Sequence, residues 1–293
     1  MSILERHPWS QSFQLWLTAN NFKHRTISWA RPIGKSKILL LGRLSDDSRP
    51  TLIFLHGLGN DALFPNIGFF RYVLSMGFNI VTCDLDGHGI GGSTEFSFAN
   101  FDGFVEDLVC QLDKLNQGVA KYHFCGYSFG AVLQLNFAVQ QPQRVASLTL
   151  IGMPTDLSLR ILVVAEALTP LFKSYREALA DYGIFGITPA IGSFKRDLYP
   201  VRLSKTETDD YIRVAAKIIS NIGPLTLLPN VGVPTLLVVG SLDFIANQEC
   251  GLEAAPNLQI EHVTLKGETH FSTMISKELA HAFVDFIETQ GAK

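Results

Sequence analysis

One short segment of this sequence combines residue types whose spacing could support covalent chemistry: Gly126-Tyr127-Ser128-Phe129-Gly130. An apolar run precedes it and a run with helix-forming composition follows it, so we expect Ser128 to lie at a turn between a strand and a helix. Such a turn is sharp and strained, and small residues two positions to either side let the strand and the helix approach closely. The turn would expose the serine hydroxyl, while the N–H of Phe129 and the positive end of the helix would face a developing oxyanion. The pattern therefore predicts nucleophilic attack by Ser128 on a carbonyl group.

A serine hydroxyl needs a base to accept its proton, and the histidines of the C-terminal region offer one candidate in a loop. His270 lies in the segment 266–271, between a predicted strand at 260–265 and a predicted last helix at 275–287. His262 falls inside that strand and His281 inside that helix, so neither is as free to reach a serine. We therefore predict that His270 is the general base.

A carboxylate that would orient the imidazole follows a late buried strand. Asp243 comes directly after the apolar run 233–240, and ligand sites in open α/β sheets form outside the carboxyl ends of the strands. Asp156, which follows the preceding strand at 145–151, is the alternative acid. We favour Asp243.

The elements that would position these residues are short apolar runs separated by helix-like segments. Wholly apolar runs of this length are typical of strands that are covered on both faces of a mostly parallel sheet. The predicted fold class is therefore α/β. The predicted strands cover residues 26–29, 37–41, 51–55, 77–84, 122–125, 145–151, 233–240 and 260–265, and helices are expected at 64–75, 101–115, 131–138, 252–255 and 275–287.

The ordered motifs together resemble the α/β-hydrolase superfamily, and the resemblance extends from His56 to His270. The strand at 51–55 ends in His56-Gly57-Leu58-Gly59, and the order of serine, aspartate and histidine along the chain is the order that this fold uses. The resemblance implies that the backbone N–H of Leu58 is the second oxyanion donor, paired with that of Phe129. It also implies that His56 holds its turn by hydrogen bonds.

The segment after the strand at 77–84 departs from the superfamily pattern Asp-x-x-Gly-x-Gly-x-Ser. Asp86 stands where many lipase-like, esterase-like and haloperoxidase-like members have arginine, and Ser93 comes one residue late. We expect a reshaped loop, ordered by His88 and Ser93, within an unchanged fold. The resemblance further implies a helical cap at 155–230, over Ser128, inserted between core segments 1–154 and 231–293.

The net charge and the composition of the chain limit which ligands and cofactors it is expected to bind. With a net charge of −3 and no cluster of basic residues, the chain offers no surface for nucleic acid or for anionic lipid, so a small, neutral and apolar acyl substrate is expected. No apolar run approaches the roughly 18 residues that a membrane span needs, and residues 1–16 lack the plan of a signal peptide, which favours a soluble cytoplasmic protein. The four cysteines lack metal-ligand spacing, and neither a metal nor an organic cofactor is expected. No particular oligomeric state is predicted.

The residues and the resemblance together predict a serine hydrolase that cleaves a carboxylic ester through an acyl-serine intermediate. The segment Gly-Tyr-Ser-Phe-Gly and the apolar cap are similar to the esterase and monoacylglycerol-lipase branch. Thioesterases, amidases, carbon–carbon bond hydrolases and cofactor-free haloperoxidases share the superfamily and remain alternatives, as does a catalytically silent, ligand-binding homologue. Epoxide hydrolases and haloalkane dehalogenases are disfavoured, because they have aspartate at the position of Ser128.

Overall fold

The computed structural model describes residues 4, 10–31, 35–44, 49–58, 60–63, 66–86, 88, 101, 103–115, 121–155, 205–243, 245–246 and 260–291. Within these ranges the chain forms α1 (Ser10–Ala19), β1 (Lys23–Ala30), β2 (Lys35–Gly42), β3 (Thr51–Leu55), α2 (Ile67–Ser75), β4 (Asn79–Cys83), α3 (Phe104–Asp113), β5 (Tyr122–Tyr127), α4 (Phe129–Gln140), β6 (Val145–Ile151), α5 (Lys205–Ile222), α6 (Pro224–Leu227), β7 (Thr235–Gly240), β8 (Ile260–Leu265) and α7 (Lys277–Gly291). Short 3₁₀ helices cover Pro142–Arg144, Leu228–Asn230 and Ser272–Ile275.

The strands form one sheet of eight, in the order β1-β2-β4-β3-β5-β6-β7-β8. β2 pairs antiparallel with both β1 and β4, and every pairing from β4 through to β8 is parallel. The predicted α/β class is confirmed, and β1 and β2 form an antiparallel pair at one edge of the sheet. The molecule has the α/β-hydrolase arrangement of a mostly parallel sheet with helices on its faces.

Alternation along the strands divides the core into two hydrophobic clusters, one on each face of the sheet. Ile53 and Leu55 belong to one cluster, whereas Leu52 and Phe54 of the same strand belong to the other. Successive side chains of a strand point to opposite faces, so a strand that is apolar at every position must be covered on both sides. All five residues of β3 and all six of β7 are accordingly buried, while the edge strand β1 is mostly exposed.

Helices α3, α4 and α5 cover the first face, and α1, α2 and α7 cover the second. Buried residues of α5, such as Ile218 and Ile219, lie in the same cluster as Leu135 of α4. On the opposite face, Phe283 of α7 packs against Phe69 of α2, with 5.4 Å between the ring centroids. The helix that follows Ser128 is thus held between the sheet and a second helix.

Several predicted elements begin or end at different residues in the structure. α2 begins at Ile67 rather than at residue 64, and α3 begins at Phe104 because Gly103, with a φ of 67°, occupies the preceding cap position. The 3₁₀ turn Ser272–Ile275 precedes α7, which continues to Gly291. The predicted helix at 252–255 lies outside the described residues.

The predicted cap is described only in its last part. Residues 156–204 lie outside the described ranges, whereas residues 205–230 are largely helical. The domain boundaries at 155 and 230, and the position of a cap over Ser128, stay predictions. None of the described helices combines the length and apolarity that crossing a bilayer requires.

Candidate active site

Ser128 lies at the strand-to-helix turn that the sequence predicts. It follows the last residue of β5 and precedes the first residue of α4, with a φ of 52° and a ψ of −117°. A positive φ is unfavourable for a residue with a Cβ, so the surrounding structure must impose this conformation. Hydrogen bonds on both sides do so: the Ser128 N–H donates to Ile151 O at 2.8 Å, and the Ala131 N–H donates to Ser128 O at 2.9 Å.

The two glycines of the motif leave no room for a side chain. A Cβ added at Gly126 would lie 2.5 Å from the Cα of Ala131, and one added at Gly130 would lie 2.7 Å from the carbonyl oxygen of His56. Both distances are shorter than a Cβ atom tolerates, and the opposing atoms belong to the backbone. The glycines therefore allow β5, α4 and the end of β3 to pack closely around Ser128.

The imidazole of His270 bridges the serine and the aspartate. Its Nε2 lies 3.0 Å from Ser128 Oγ, and its Nδ1 lies 2.9 Å from Asp243 Oδ2. Because the carboxylate can only accept, Nδ1 carries the proton, and Nε2 of the neutral ring accepts from the serine hydroxyl. The structure thus brings three residues that were predicted separately into one hydrogen-bonded chain.

Asp243 keeps its negative charge although its side chain is fully buried. Burial acts to raise the pKa of this carboxyl, but the hydrogen bond and the electrostatic interaction with His270, together with the N–H groups of Ala246 and Ile245, outweigh burial and lower the pKa. Those two N–H groups donate to Oδ1 at 2.8 and 2.9 Å. Oδ2 is left to face the imidazole. The alternative acid, Asp156, lies outside the described residues.

The turn after β3 packs directly against the serine. A Cβ added at Gly57 would lie 2.8 Å from the Cβ of Ser128, so only glycine fits there. β3 pairs in parallel with β5 and ends opposite Gly126, which places Leu58 and Phe129 after the ends of neighbouring strands. Phe129 is the first residue of α4, where backbone N–H groups point out of the helix end. Their role as oxyanion donors stays a prediction.

His56 holds this turn by hydrogen bonds. Its Nδ1–H donates to Gly57 O at 2.7 Å, and its Nε2 accepts from the N–H of Leu85 at 2.9 Å. The ring of His88 packs edge to face against it at 5.1 Å. Burial lowers the pKa of His56 to about 4 and, with the neighbouring His56 as a further cause, the pKa of His88 to about 3. Both rings are therefore neutral at pH 7.

A buried ion pair lies at the start of the loop after β4. Asp86, which replaces the arginine of the superfamily pattern, pairs with Arg31, and the guanidinium carbon of Arg31 lies 4.4 Å from the ring centroid of Phe104. The Nδ1–H of His88 donates to the backbone oxygen of Asp86 at 2.9 Å, so His88 orders the loop as expected. Ser93 lies outside the described residues. A buried carboxylate at position 86 needs a cationic partner from another part of the chain. No local sequence pattern identifies Arg31 as that partner.

Two residues that lie beside His270 were not identified as site residues from the sequence. Gly152 follows β6 with a φ of 54°, and a Cβ added to it would lie 3.2 Å from His270 Nδ1 and 3.3 Å from Asp243 Oδ2. Tyr127 donates its hydroxyl proton to His270 O at 2.8 Å. A glycine directly after a strand was the signal for the first residue, and the second lies inside the serine motif itself.

Metal ligation has no support among the described residues, where no three His, Cys, Asp or Glu side chains gather as an ion would require. Cys83 and Cys125 are buried free thiols, and burial raises the pKa of both. Neither thiol would act as a thiolate nucleophile at neutral pH. Ser128 therefore remains the candidate nucleophile of the described site.

Comparison with known proteins agrees with this architecture. The family model described as alpha/beta hydrolase fold matches residues 50–180, which include the turn after β3 and the Ser128 motif. A dihydrolipoyllysine-residue acetyltransferase component of the acetoin cleaving system from Pseudomonas putida is 33% identical over 116 residues, or 40% of this chain and 30% of that protein. The chain therefore spans less than a third of this curated relative.

Solved structures resemble the chain over nearly its whole length. A hydrolase from Pseudomonas aeruginosa PA01 superposes with a TM-score of 0.67 at 18% identity, covering 90% of this chain and 98% of that one. The 2-hydroxy-6-oxo-6-phenylhexa-2,4-dienoate hydrolase of Rhodococcus sp. strain RHA1 has a TM-score of 0.62 at 20% identity, covering 91% and 100%. Family match, sheet order and the geometry around Ser128 agree: the chain has the α/β-hydrolase fold.

Proposed function

We propose that this protein hydrolyses a carboxylic ester through a covalent acyl-Ser128 intermediate. The observation that carries the proposal is the hydrogen-bonded chain from Asp243 Oδ2 through His270 to Ser128 Oγ, with distances of 2.9 and 3.0 Å. Such a chain is the arrangement that activates a serine hydroxyl, which is otherwise a weak nucleophile at neutral pH. The positive φ of Ser128 supports the same role, because strain of this kind is retained where function needs it.

In the first half of the reaction, Ser128 Oγ attacks the ester carbonyl carbon as its proton passes to His270 Nε2. The imidazolium that forms is stabilised by Asp243, whose lowered pKa keeps it ionised. Collapse of the tetrahedral intermediate breaks the bond to the alkoxy oxygen, and the proton on Nε2 goes to the leaving alcohol. The acyl group is then bonded to Ser128.

The negative charge on the carbonyl oxygen needs fixed donors during this step. We assign the backbone N–H groups of Leu58 and Phe129 to it, since these residues follow the ends of the adjacent strands β3 and β5. Preorganised donors in a site sheltered from water are worth about 2.7–4 kcal/mol each in hydrolases of this type. The packing of Gly57 against the Cβ of Ser128 supports an oxyanion site beside the serine.

Water completes the cycle by the same route in reverse. His270 Nε2 accepts a proton from water, the hydroxide oxygen attacks the acyl carbon, and the bond to Ser128 Oγ breaks as the serine recovers a proton. The products are one carboxylic acid and one alcohol, and no redox partner is needed. Each step uses only the groups that surround the serine.

We favour an ester substrate whose acyl group is apolar. Leu242, adjacent to Asp243, is 60% exposed, and the chain has no cluster of basic residues for a polyanion. The exposed leucine gives an apolar ligand a surface to contact beside the groups that we assign to catalysis. The named activity of the Pseudomonas putida relative, an acetyltransferase component, keeps acyl-thioesters among the substrates worth assaying.

A panel of p-nitrophenyl esters of increasing acyl-chain length, run beside acyl-thioesters and anilides, tests the proposal. We expect turnover of esters with the highest kcat/KM at an intermediate or long chain, and loss of turnover in Ser128→Ala. Turnover of thioesters or anilides with none of esters would contradict the ester assignment. Folded protein that turns over no member of the panel would support a ligand-binding homologue instead.

A further inference from the structure

We propose that Tyr127 is a positioning residue of this site, which fixes the backbone of His270 so that the imidazole stays within reach of Ser128. The inference rests on the proposed function, since it assigns Tyr127 a part in the action of His270. Tyr127 is the last residue of β5 and precedes Ser128 directly. One side chain therefore joins the strand that carries the nucleophile to the loop that carries the base.

The hydroxyl of Tyr127 makes the first contact. It donates to the backbone oxygen of His270 at 2.8 Å, although the two residues are 143 positions apart in the chain. Tyr127 is only 2% exposed, so water cannot replace this bond at low cost. A buried donor that lost its acceptor would cost more than the bond itself contributes, which makes the geometry at residue 270 well defined.

The ring of Tyr127 makes two further contacts within the site. Its centroid lies 5.2 Å from that of the His270 imidazole, at an interplanar angle of 33°. The ring carbons Cδ1 and Cε1 lie 3.1 and 3.2 Å from the point where a Cβ of Gly57 would be. The ring thus lies close to both the base and the turn that we assign to the oxyanion.

Other hydrogen bonds of the His270 loop lie within the loop or connect it to the end of β7. Thr269 and Ser272 bond to each other within the loop, and the N–H of Leu242 donates to Glu268 O at 2.9 Å, which ties the loop to the end of β7. The bond from Tyr127 instead ties it to β5. Small displacements between a nucleophile and its base reduce rates strongly, so this connection has a direct kinetic consequence.

Replacement of Tyr127 by phenylalanine removes the hydroxyl but keeps the ring that fills the core, so the variant is expected to fold. Loss of the bond should lower kcat roughly threefold to tenfold with little change in KM, because Tyr127 is only 2% exposed and presents almost no surface to a ligand. Active sites are counted with a fluorophosphonate, and kcat is expressed per labelled serine. Partial unfolding alone would then leave the measured kcat unchanged.

Tyr122→Phe is the matched control. Tyr122 is also buried on β5, and its hydroxyl donates to Asp113 Oδ1 at 3.2 Å, away from Ser128. We expect Tyr122→Phe to keep the wild-type kcat. Equal kcat in Tyr127→Phe and wild type, or equal losses in both variants, would overturn the positioning role. Wild-type protein that is neither labelled nor active would be a different result, which overturns the proposed function itself.

Discussion

At the scale of single residues, Asp243 is held in place by more than the histidine. Two backbone N–H groups saturate one carboxylate oxygen, at 2.9 and 2.8 Å, and direct the other toward His270 Nδ1. The carboxylate therefore fixes both the tautomer and the orientation of the imidazole. An uncharged amide of the same shape could keep the orientation but not the stabilisation of the imidazolium.

Asp243→Asn tests this assignment. We expect kcat to fall by roughly 10³- to 10⁴-fold, because the amide favours the wrong imidazole tautomer and no longer stabilises positive charge. Asp113→Asn is the control, since Asp113 pairs with Arg144 away from Ser128 and should leave kcat unchanged. Asp243→Asn with at least half of the wild-type kcat would contradict the assignment and favour Asp156.

Gly152 gives a second prediction at this scale. In Gly152→Ala the new methyl group would press on His270 Nδ1 and Asp243 Oδ2, so kcat should fall roughly tenfold to 100-fold. Gly223→Ala is a matched control. Gly223 has a similar φ of 62°, but a Cβ added there would lie 3.8 Å from the nearest atom, which is an ordinary contact distance. Both variants should lose about 1–2 kcal/mol of stability to backbone strain. Equal kcat in the two variants would show that residue 152 does not affect the His–Asp pair.

At the scale of elements, the turn from β5 to α4 depends on backbone that approaches backbone. A Cβ at Gly130 would meet carbonyl groups of both Leu55 and His56, neither of which can rotate away as a side chain could. The strained turn is therefore part of the packing between β3, β5 and α4. The turn requires glycine at position 130 because a larger residue would clash with the backbone.

Gly130→Ala should therefore destabilise the whole domain by more than about 3 kcal/mol, beyond the usual cost of overpacking. Gly68→Ala is the control: Gly68 lies in α2, and a Cβ there would meet nothing within 4 Å. That variant should gain roughly 0.5–1 kcal/mol from better helix propensity. Urea unfolding monitored by tryptophan fluorescence measures both changes, and a Gly130→Ala midpoint equal to that of wild type would contradict the steric account.

The bounds of strands were predicted more accurately than those of helices. The strands at 51–55, 145–151 and 260–265 have the bounds that the sequence predicted, because each is a short apolar or alternating run between turn residues. Helix ends were less accurate: residue 64 was an expected start and Ile67 is the observed one. Periodicity identifies the buried face of a helix, but its first residue depends on local turns such as the bond from Leu63 N–H to Asp61 Oδ1.

At the scale of the whole molecule, the sequence predicted only those long-range contacts that a known fold implies. The Ser128, His270 and Asp243 group could be predicted because each residue follows a strand of one sheet and the chain order matched a known fold. Arg31 and Asp86 are 55 positions apart, and no local pattern marks Arg31 as a buried cation. The contact of Tyr127 with His270 is equally non-local, and both contacts connect the sheet to its loops.

Buried neutral histidines predict how stability responds to acid. Burial lowers the pKa of His56 and His123 to about 4 and that of His88 to about 3, whereas the unfolded chain titrates near 6.5. Between these values the unfolded state binds more protons than the folded state, so the free energy of unfolding must fall as pH falls. Each fully buried ring should cost roughly 1–2 kcal/mol by pH 5.

Urea unfolding at pH 7, 6 and 5 measures this dependence. His123→Gln should make it shallower by removing one buried titrating ring. A free energy of unfolding that stays constant or rises between pH 7 and pH 5 would contradict the neutral, buried state of these rings.

The central claim is that Ser128 is a nucleophile activated by His270, and covalent labelling tests it most directly. Folded wild-type protein is incubated with a fluorophosphonate, and the modified residue is identified by mass spectrometry. We predict one adduct, on Ser128, that is absent from Ser128→Ala and forms at least 100-fold more slowly in His270→Gln, since removal of the base costs typically 10²- to 10⁴-fold. Folded wild-type protein that forms no adduct, or an adduct at another residue, would contradict the claim.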